Sequence, residues 1–466
     1  MIRAVQTIYL SIIGALCMSF AALLPIFAPW KVIFLMAPAI FAAVVLLFYP
    51  FLGLTGIVAL SHVDAVGTRV SAFLPISAYK LLTIGTVGAL LIHLQQNRDA
   101  PISWTFDTLV TRLILLFLLW ATMSGLLSSY PDEAKDRLQD FALLFVLYML
   151  ILTLTDTQQK FEILIWTLVG TCAFSALVVM GDTLLGTRLL STSEAAITAQ
   201  WEGQARSSGA SNFNPTTASH MLLATTIISG VLFLFEPRWR VISGAVAVLG
   251  LIALSMSLAR SAMIAGGVVS LVIGWSFRRH KFFTLGVLVG VAAGVAALPF
   301  VGEALIDRMS TIVNFETDRT LFRRLTYNLI GLDLFSKNPV FGIGPGNFPL
   351  YYIGDEYRWY PGRELAPRQL HNTYMEVAVE TGLIGLGLFL AFLITAMRAV
   401  WKVAARHDSL GSHAKALFYG FLGFLIASIF MPNEDIKFTW MLPALCVCAA
   451  RLDGVIVSPE SRKPEL

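Results

Sequence analysis

The sequence predicts an all-α integral membrane protein with 12–14 transmembrane helices. Hydrophobic residues make up 57% of its 466 residues and charged residues only 13%, against about 45–50% and about 25% in soluble domains. The mean hydropathy is +0.75, and apolar runs of about 20 residues recur along the chain. So few charges cannot cover the surface of a soluble fold of this size. The same figures exclude a disordered chain, a coiled coil and a disulfide scaffold.

Fourteen apolar runs are the predicted spans. Several of them, especially 51–61 and 438–450, are shorter than the roughly 17 residues that a crossing needs. We therefore expect the first four runs to form fewer full crossings, with a broken or re-entrant element among them. In order, the runs are 8–27, 32–48, 51–61, 74–94, 113–127, 141–154, 163–180, 217–235, 241–258, 261–276, 282–301, 375–397, 414–430 and 438–450.

The distribution of Lys and Arg predicts the orientation of these spans. Alternate loops are basic, and if the runs alternate, these loops all fall on one side, which the positive-inside trend makes cytoplasmic. Both termini are then cytoplasmic, in a multi-pass membrane protein. The net charge of +4 reflects these loops, and no basic face of the kind that binds nucleic acid is apparent. The basic loop residues are Arg98, Lys160, Arg238, Arg240, Arg278, Arg279, Lys281, Arg398, Lys402, Arg406, Lys415, Arg451, Arg462 and Lys463.

One large loop, residues 302–372, divides the predicted chain and falls on the side opposite to the basic loops. It separates an N-terminal bundle (1–301) from C-terminal helices with a short cytoplasmic tail (373–466). It is far longer than the usual connection of about 4–6 residues, and its residues 318–335 have a helical apolar period. A compact subdomain is therefore expected, and long loops of this kind are often functional.

Two motifs flank the return of this loop to the membrane. Asn-Pro-Val-Phe-Gly-Ile-Gly-Pro-Gly-Asn-Phe occupies 338–348, and His-Asn-Thr-Tyr-Met-Glu begins at His371. The glycines lack the strand–helix context and spacing of a dinucleotide site, so they indicate a tight turn with close backbone packing. His371 is either a satisfied structural residue or a general base that faces an external cavity.

Together these motifs closely resemble the characteristic region of the O-antigen ligase and O-antigen polymerase superfamily. The segment from Arg206 to Pro215 is similar to another element of that family, and Ser257-Leu-Ala-Arg-Ser to a third. The chain departs from the family pattern at Thr216, where a second Asn is common, and at Leu258-Ala259. The resemblance implies a multi-pass protein of the bacterial inner membrane with a GT-C-like helical fold, in which the large loop 302–372 is periplasmic. It also implies transfer of a glycan from undecaprenyl pyrophosphate.

Three predicted outward segments contain basic residues that run against the positive-inside trend. Lys135 and Arg137 lie in the first segment, Arg206 in the second and Arg260 in the third. A lipid-linked diphosphate would explain them, since guanidinium groups bind phosphate in a bidentate manner. The alternative is ordinary contact with solvent or lipid headgroups. Arg260 is the strongest case, because apolar helix lies on both sides of it.

The resemblance implies specific roles for some of these residues. Arg206 and Arg260 would neutralise the leaving diphosphate, and His371 would take the proton of the acceptor hydroxyl, with inversion at the anomeric carbon. Further candidates for substrate binding are Arg137, Lys135, Arg323, Arg324, Asn372, Lys80 and Asp435. Arg323 and Arg324 could equally form a solvated helix face.

We predict neither a metal nor a cofactor. No Asp-x-Asp pair occurs in the sequence, although metal-dependent GT-C enzymes commonly use such a pair on an outward loop. The expected partners are an undecaprenyl-pyrophosphate-linked glycan, a lipid A-core or growing-glycan acceptor, and membrane lipids, with no nucleic acid. A ligase acting on lipid A-core is favoured weakly over a repeat-unit polymerase; a lipid-linked glycan transporter and a non-catalytic assembly scaffold are the alternatives from other classes.

Overall fold

The described part of the chain is helical, and its order follows the predicted runs. The computed structural model describes residues 45–71, 77–96, 108–191, 206–313, 319–363 and 366–454. Run 8–27 and nearly all of run 32–48 lie outside these residues. The helices are α1 Pro50–Ala59, α2 Asp64–Ser71, α3 Ala78–Gln96, α4 Leu109–Leu126, α5 Pro131–Leu154, α6 Gln158–Leu185, α7 Pro215–Phe235, α8 Arg240–Met256, α9 Arg260–Phe277, α10 Phe283–Val313, α11 Arg319–Lys337, α12 Phe348–Tyr352, α13 Thr373–Ala404, α14 Ser409–Ala427 and α15 Lys437–Leu452.

Nine helices of the described residues are long and apolar enough to cross a membrane: α3 to α9, α13 and α14, with α8 extended back to Pro237. The prediction of an all-α integral membrane protein is therefore confirmed. Two further apolar stretches, α1 and residues Phe283–Val295 of α10, are shorter. The total of 12–14 helices and the GT-C-like arrangement stay predictions.

The core is formed around two helices that are buried on all sides. Nearly every residue of α7 is buried, and so is the whole stretch from Phe438 to Ala450 of α15. Helix α7 packs most extensively against α14 and α8, and α15 against α5 and α13. Around α15, the rings of Phe117, Phe141, Phe389 and Trp440 meet, with adjacent centroids 5.6–5.8 Å apart. A short helix such as α15 is stable here because its apolar surface is covered by protein.

Helices α1 and α2 form a broken pair. Between them, the His62 Nε2 atom lies 3.0 Å from the Thr225 hydroxyl, halfway along the membrane-spanning helix α7. An interruption of the helix at that depth is of the broken or re-entrant kind that we expect among the first four runs. Irregular backbone is tolerated within a membrane where protein surrounds it.

The loops gather at two opposite ends of the helical bundle. At one end, Ser409 donates to Glu162 and Arg406 pairs with Asp453. At the other, which we call the site end, α5, α7, α9, α13 and α15 begin, and Arg137 of α5 pairs with Asp435 of the turn before α15. The described loops that these contacts join thus lie on the same side as each other, whereas the placement of the remaining loops and the compartment that each end faces stay predictions.

The segment between α10 and α13 covers the site end with a small hydrophobic core of its own. Tyr327, Ile330 and Leu334 of α11 pack there against Phe348, Tyr352, Leu370 and Val379. Helix α11 thus buries a different face from the apolar stripe of Phe322, Leu325, Leu329 and Leu332, which is about half exposed. Helix α10 continues past the predicted boundary at residue 301 as far as Val313. The domain boundaries at 301/302 and 372/373 remain predictions.

Candidate functional site

The glycine-rich segment docks onto a break in α13. Gly382 has φ 71° and ψ −176°, which interrupts the helix, so carbonyl groups that would accept from the next turn are released. Ile343 N–H donates to the Val379 carbonyl (3.0 Å) and Gly344 N–H to the Glu380 carbonyl (2.9 Å). Leu383 N–H in turn donates to the Pro339 carbonyl (2.9 Å). The glycines are therefore structural: they let the loop backbone lie directly on the broken helix.

Two acidic side chains position the segment that carries Arg206. Asp182, near the end of α6, accepts from the Ser207 hydroxyl (2.6 Å) and from Leu189 N–H (2.8 Å). Asp64 of α2 accepts from Asn212 N–H with 3.3 and 3.4 Å to its two oxygens. The segment is thus clamped between α2 and α6 just before α7 begins.

Arg206 bridges the start of α7 and the connection before α9. Its guanidinium donates to the Thr216 hydroxyl (3.1 Å) and, through Nε, to the Ser257 carbonyl (3.5 Å). Ser257 lies three residues before Arg260, the first residue of α9. The turn between them includes Leu258 at φ 53°, an unusual conformation for a leucine. The structure therefore brings the segments of Arg206 and Arg260 together.

His371 lies directly before α13 in a left-handed backbone conformation, with φ 57°. Its Nδ1 atom is 3.0 Å from the Met431 sulfur, and the Tyr327 ring stacks on it with 5.3 Å between centroids and 24° between planes. The preceding N–H, of Leu370, donates to Glu376 Oε2 (2.9 Å). Three elements, α11, α13 and the turn before α15, thus fix this imidazole.

A buried polar network connects this imidazole to the start of α9. The Thr373 hydroxyl donates to the Met431 carbonyl and accepts from Asn433 N–H, both at 2.8 Å. The Asn433 amide lies 3.2 Å from His220 Nδ1, and His220 Nε2 lies 2.8 Å from the Ser261 hydroxyl. Ser261 follows Arg260 directly. Hydrogen bonds, together with the covalent link through Met431, therefore connect His371 to Ser261, the residue after Arg260, across α7, α9, α13 and the turn before α15.

Arginine charges surround the two histidines. Arg324 of α11 acts electrostatically on both His371 and His220, Arg206 acts on His220, and Arg368 acts on His371. Burial, with the charges of Arg324 and Arg368, lowers the pKa of His371 to about 3. The imidazole is therefore neutral at physiological pH.

The other sequence-predicted site residues differ in their surroundings. Arg137 pairs with Asp435 and lies 3.9 Å from a Glu434 oxygen, so these groups border the network through the turn that carries Asn433. Asn372 caps α13: its side-chain oxygen Oδ1 accepts from the N–H groups of Tyr374 (3.1 Å) and Met375 (3.2 Å).

Three further candidates lie on helix surfaces. Lys80 of α3 and Lys135 of α5 are exposed, and Arg323 of α11 is half-buried. The hydrogen bonds of the network described above do not include these three side chains.

Sequence reasoning missed several buried polar groups of this region. Glu380 accepts from Gly346 N–H (2.7 Å) and Phe348 N–H (3.3 Å), and Glu376 holds Leu370 as described above. Two acids four residues apart in an apolar helix were a readable signal, since charges within spans are rare without a purpose. His220 and Asn433 offered no comparable signal, because their contact joins positions 213 residues apart.

Within the described residues, no group of three or more His, Cys, Asp or Glu side chains is arranged to hold a metal ion. The prediction of a metal-independent site stays a prediction. Chemically, the site combines guanidinium groups, which bind anions, with a neutral imidazole.

These features define a class: a multi-spanning helical membrane protein with a cationic, histidine-containing site beneath a loop subdomain. Residues 245–390, about a third of the chain, match the family model described as O-antigen ligase. This match supports the resemblance to the O-antigen ligase superfamily that the sequence motifs indicate, and with it a membrane glycosyltransferase of the ligase or polymerase type. The matched region includes Arg260, the glycine-rich segment and His371, whereas Arg206 lies before it. No curated protein matches the chain significantly.

Proposed function

We propose that the protein transfers a glycan from undecaprenyl pyrophosphate to a hydroxyl of lipid A-core at the periplasmic face of the bacterial inner membrane. The observation that carries this proposal is the polar network that runs from His371 to Ser261, the residue after Arg260, and passes through His220, on which Arg206 acts electrostatically. Guanidinium groups and a neutral imidazole, gathered at one end of a membrane bundle, suit a phosphate leaving group and a hydroxyl nucleophile.

The arginines have the electrostatic role. Arg206 and Arg260 bind the diphosphate of the donor and stabilise the negative charge that develops when its bond to the anomeric carbon breaks. Arg324 adds positive charge from the loop side. Planar guanidinium groups suit this task because they donate two parallel hydrogen bonds to phosphate oxygens.

His371 has the proton-transfer role. The acceptor oxygen attacks the anomeric carbon and loses its proton to the imidazole, while the polyprenyl diphosphate leaves with the bonding electron pair; the configuration inverts. Without a donor, the charges of Arg324 and Arg368 weaken the basicity of the His371 imidazole. A bound diphosphate neutralises their charge and raises the pKa of His371, so the base becomes effective when the donor is present.

A cleft on the membrane side supports a lipid-linked donor. Its volume is about 1120 Å³, and it lies between α7, α8, α9 and α10, with a mostly apolar lining. Ser255, Ala262 and Met263 line it close to Arg260, and Arg240 lines it toward the other end of α8. An apolar groove that starts beside the arginines suits a polyprenyl chain whose diphosphate lies among them.

The test is complementation of a strain that lacks its O-antigen ligase. Wild-type protein should restore polysaccharide-bearing lipopolysaccharide, whereas Arg260→Ala and His371→Ala should not. Arg398→Ala and His407→Ala, both exposed positions outside the site, are the matched controls and should restore it. Immunoblots of membrane fractions check insertion. Normal polysaccharide with inserted His371→Ala would contradict the assigned base, and rescue of a polymerase-null strain instead would assign the polymerase reaction.

The predicted orientation has a separate test. A periplasm-active reporter fused after Lys337 of α11 should be active, and one fused after Leu452 should be inactive. The reverse result would place the site on the cytoplasmic face, away from a periplasmic acceptor.

A further inference from the structure

The contact between His371 and Met431 determines which nitrogen of the imidazole carries the proton. A thioether sulfur has no hydrogen to donate, so it can act toward a ring nitrogen only as an acceptor. The 3.0 Å approach of Nδ1 to the sulfur therefore requires a hydrogen on Nδ1. In a neutral imidazole the other nitrogen, Nε2, then has the lone pair.

The sulfur is itself held in place. Met431 is buried, and its carbonyl accepts from the hydroxyl of Thr373, which lies two residues after His371. The same hydroxyl accepts from Asn433 N–H, so both sides of the turn are fastened to the start of α13. Leu370 N–H, bonded to Glu376, fixes the backbone on the other side of His371. Methionine is ordinarily a flexible side chain, and here its neighbours restrict it.

We propose that Met431 is a positioning residue: its sulfur fixes His371 in the Nδ1–H tautomer and thereby presents Nε2 to the acceptor hydroxyl. This proposal rests on the proposed function, in which His371 is the base. During transfer, the hydroxyl proton moves to Nε2 as the new glycosidic bond forms and the bond to diphosphate breaks. The imidazolium then holds one hydrogen on each nitrogen, and Nδ1–H keeps its contact with sulfur.

The choice of an uncharged orienting group has a physical consequence. A carboxylate at this position would stabilise the imidazolium and raise the basicity of the ring, whereas a thioether is a weak acceptor without charge. The charged groups that act on the ring are Arg324 of α11 and Arg368 of the loop, and both disfavour protonation. Basicity therefore depends on the arriving diphosphate, which limits proton uptake by an empty site.

The first experiment examines the wild-type protein directly. The chain has seven histidines, so ¹⁵N-histidine labelling and subtraction of the spectrum of His371→Gln assigns the His371 signals in solid-state NMR. A neutral ring protonated at Nδ1 is expected at pH 7. A ring protonated at Nε2 would overturn the proposal without reference to any Met431 variant.

The second experiment removes the acceptor. Met431→Leu keeps the volume of the side chain but has no sulfur, and should lower kcat by about 10-fold through loss of the productive tautomer, with KM for the donor within about twofold. Met431→Gln, whose amide oxygen can accept from Nδ1–H, should recover much of the loss. Met441→Leu, which also removes a buried thioether but lies within α15, is the control and should have wild-type kcat.

The outcomes separate the two proposals. Wild-type kcat and an unchanged tautomer in Met431→Leu would overturn the positioning role and leave His371 as the base. Wild-type activity in His371→Ala would overturn the proposed base itself, whatever Met431 does. A loss in Met431→Leu that Met431→Gln does not relieve, with the same Nδ1–H tautomer in both, would assign Met431 a packing role and contradict the proposal.

Discussion

At the scale of single residues, the imidazole of His371 combines burial with two neighbouring positive charges, and its pKa is lowered to about 3. An unfolded chain has this group near 6.5, so between these values the unfolded state binds more protons than the folded state. The contribution of His371 to stability is therefore complete above about pH 6.5 and is lost progressively as the pH falls toward 3.

The same shift predicts an unusual pH profile. An exposed histidine base would lose half its activity near pH 6.5, whereas His371 stays neutral in the free protein. We expect kcat/KM to show no acidic limb from this group between pH 8 and pH 5, measured with purified protein in liposomes. The profile of kcat, which reports the donor complex, should have its acidic limb at a higher pH than that of kcat/KM, because the diphosphate raises the pKa. An acidic limb of kcat/KM near pH 6.5 would contradict the low pKa.

The substitution Arg206→Lys tests whether the side chain at position 206 acts through the geometry of its guanidinium group or through its positive charge alone. Its guanidinium spans from the Thr216 hydroxyl to the Ser257 carbonyl, and a lysine ammonium cannot donate from two separated nitrogens. Arg206→Lys should lower transfer by about 10-fold, a loss of roughly 1.4 kcal/mol, in an in vitro assay with lipid-linked glycan. Arg398→Lys is the matched control and should be unchanged. Full activity in Arg206→Lys would show that the positive charge alone suffices and would contradict a bidentate role of the guanidinium.

At the scale of elements, the break in α13 organises the glycine-rich segment. A methyl group on Gly382 would overlap the Val340 carbonyl oxygen, and φ of 71° is unfavourable for alanine. Gly382→Ala should therefore lower the free energy of unfolding by about 3 kcal/mol, measured as a fall in Tm in detergent. Gly387→Ala, one turn further on and with open space around its added methyl, is the control and should be neutral or slightly stabilising. Equal Tm values for both variants would contradict a required break.

The cleft between α7, α8, α9 and α10 allows a test of the lipid-linked donor. Gly267 of α9 lines it, and an added Cβ there meets open space. Gly267→Leu should fold normally but raise KM for a long-chain polyprenyl donor by about 10-fold, because it displaces contacts worth roughly 1.4 kcal/mol. For a donor with a short polyprenyl chain, Gly267→Leu and the wild-type protein should have the same KM. Gly170→Leu on α6, which also has open space, is the control. An unchanged KM in Gly267→Leu would remove the cleft from the donor site.

How far the sequence predicted these elements depends on the range of the interactions. Hydropathy is a local property, so spans such as α4 and α7 were predicted within a few residues. The predicted run 282–301 ends too early, because the charged residues Glu303 and Asp307 are typical of a loop. The backbone of α10 nevertheless stays helical to Val313. The break at Gly382 was not predicted, since glycine within an apolar run is compatible with a continuous span and only the docked loop reveals it.

At the scale of the whole molecule, the candidate site was predicted in part. Arg260 and His371 are unusual in their local surroundings, an arginine between apolar runs and a histidine at the membrane border, and so could be named from sequence. Met431 and Asn433 become relevant only because the turn before α15 lies against α7 and α13. Such contacts join residues more than 50 positions apart, and one sequence does not specify which turn meets which helix.

The pairing of Arg137 with Asp435 and Glu434 joins α5 to that turn and so determines how the two halves of the chain meet at the site end. Burial raises the pKa of Glu434, and the charge of Arg137 lowers it. The Glu434 side chain is 2% exposed, whereas Asp435, at 23%, keeps some hydration.

Arg137→Ala leaves a buried carboxylate without its cation, so the free energy of unfolding should fall by about 3 kcal/mol at pH 7. The loss should be smaller at pH 5, where Glu434 is more readily protonated, and Tm in detergent at both pH values measures it. Lys135→Ala, an exposed change two residues earlier, should stay within about 0.5 kcal/mol of wild type. If Arg137→Ala kept its Tm but lost donor binding, Arg137 would act on substrate, as its sequence context first suggested, rather than on assembly of the bundle.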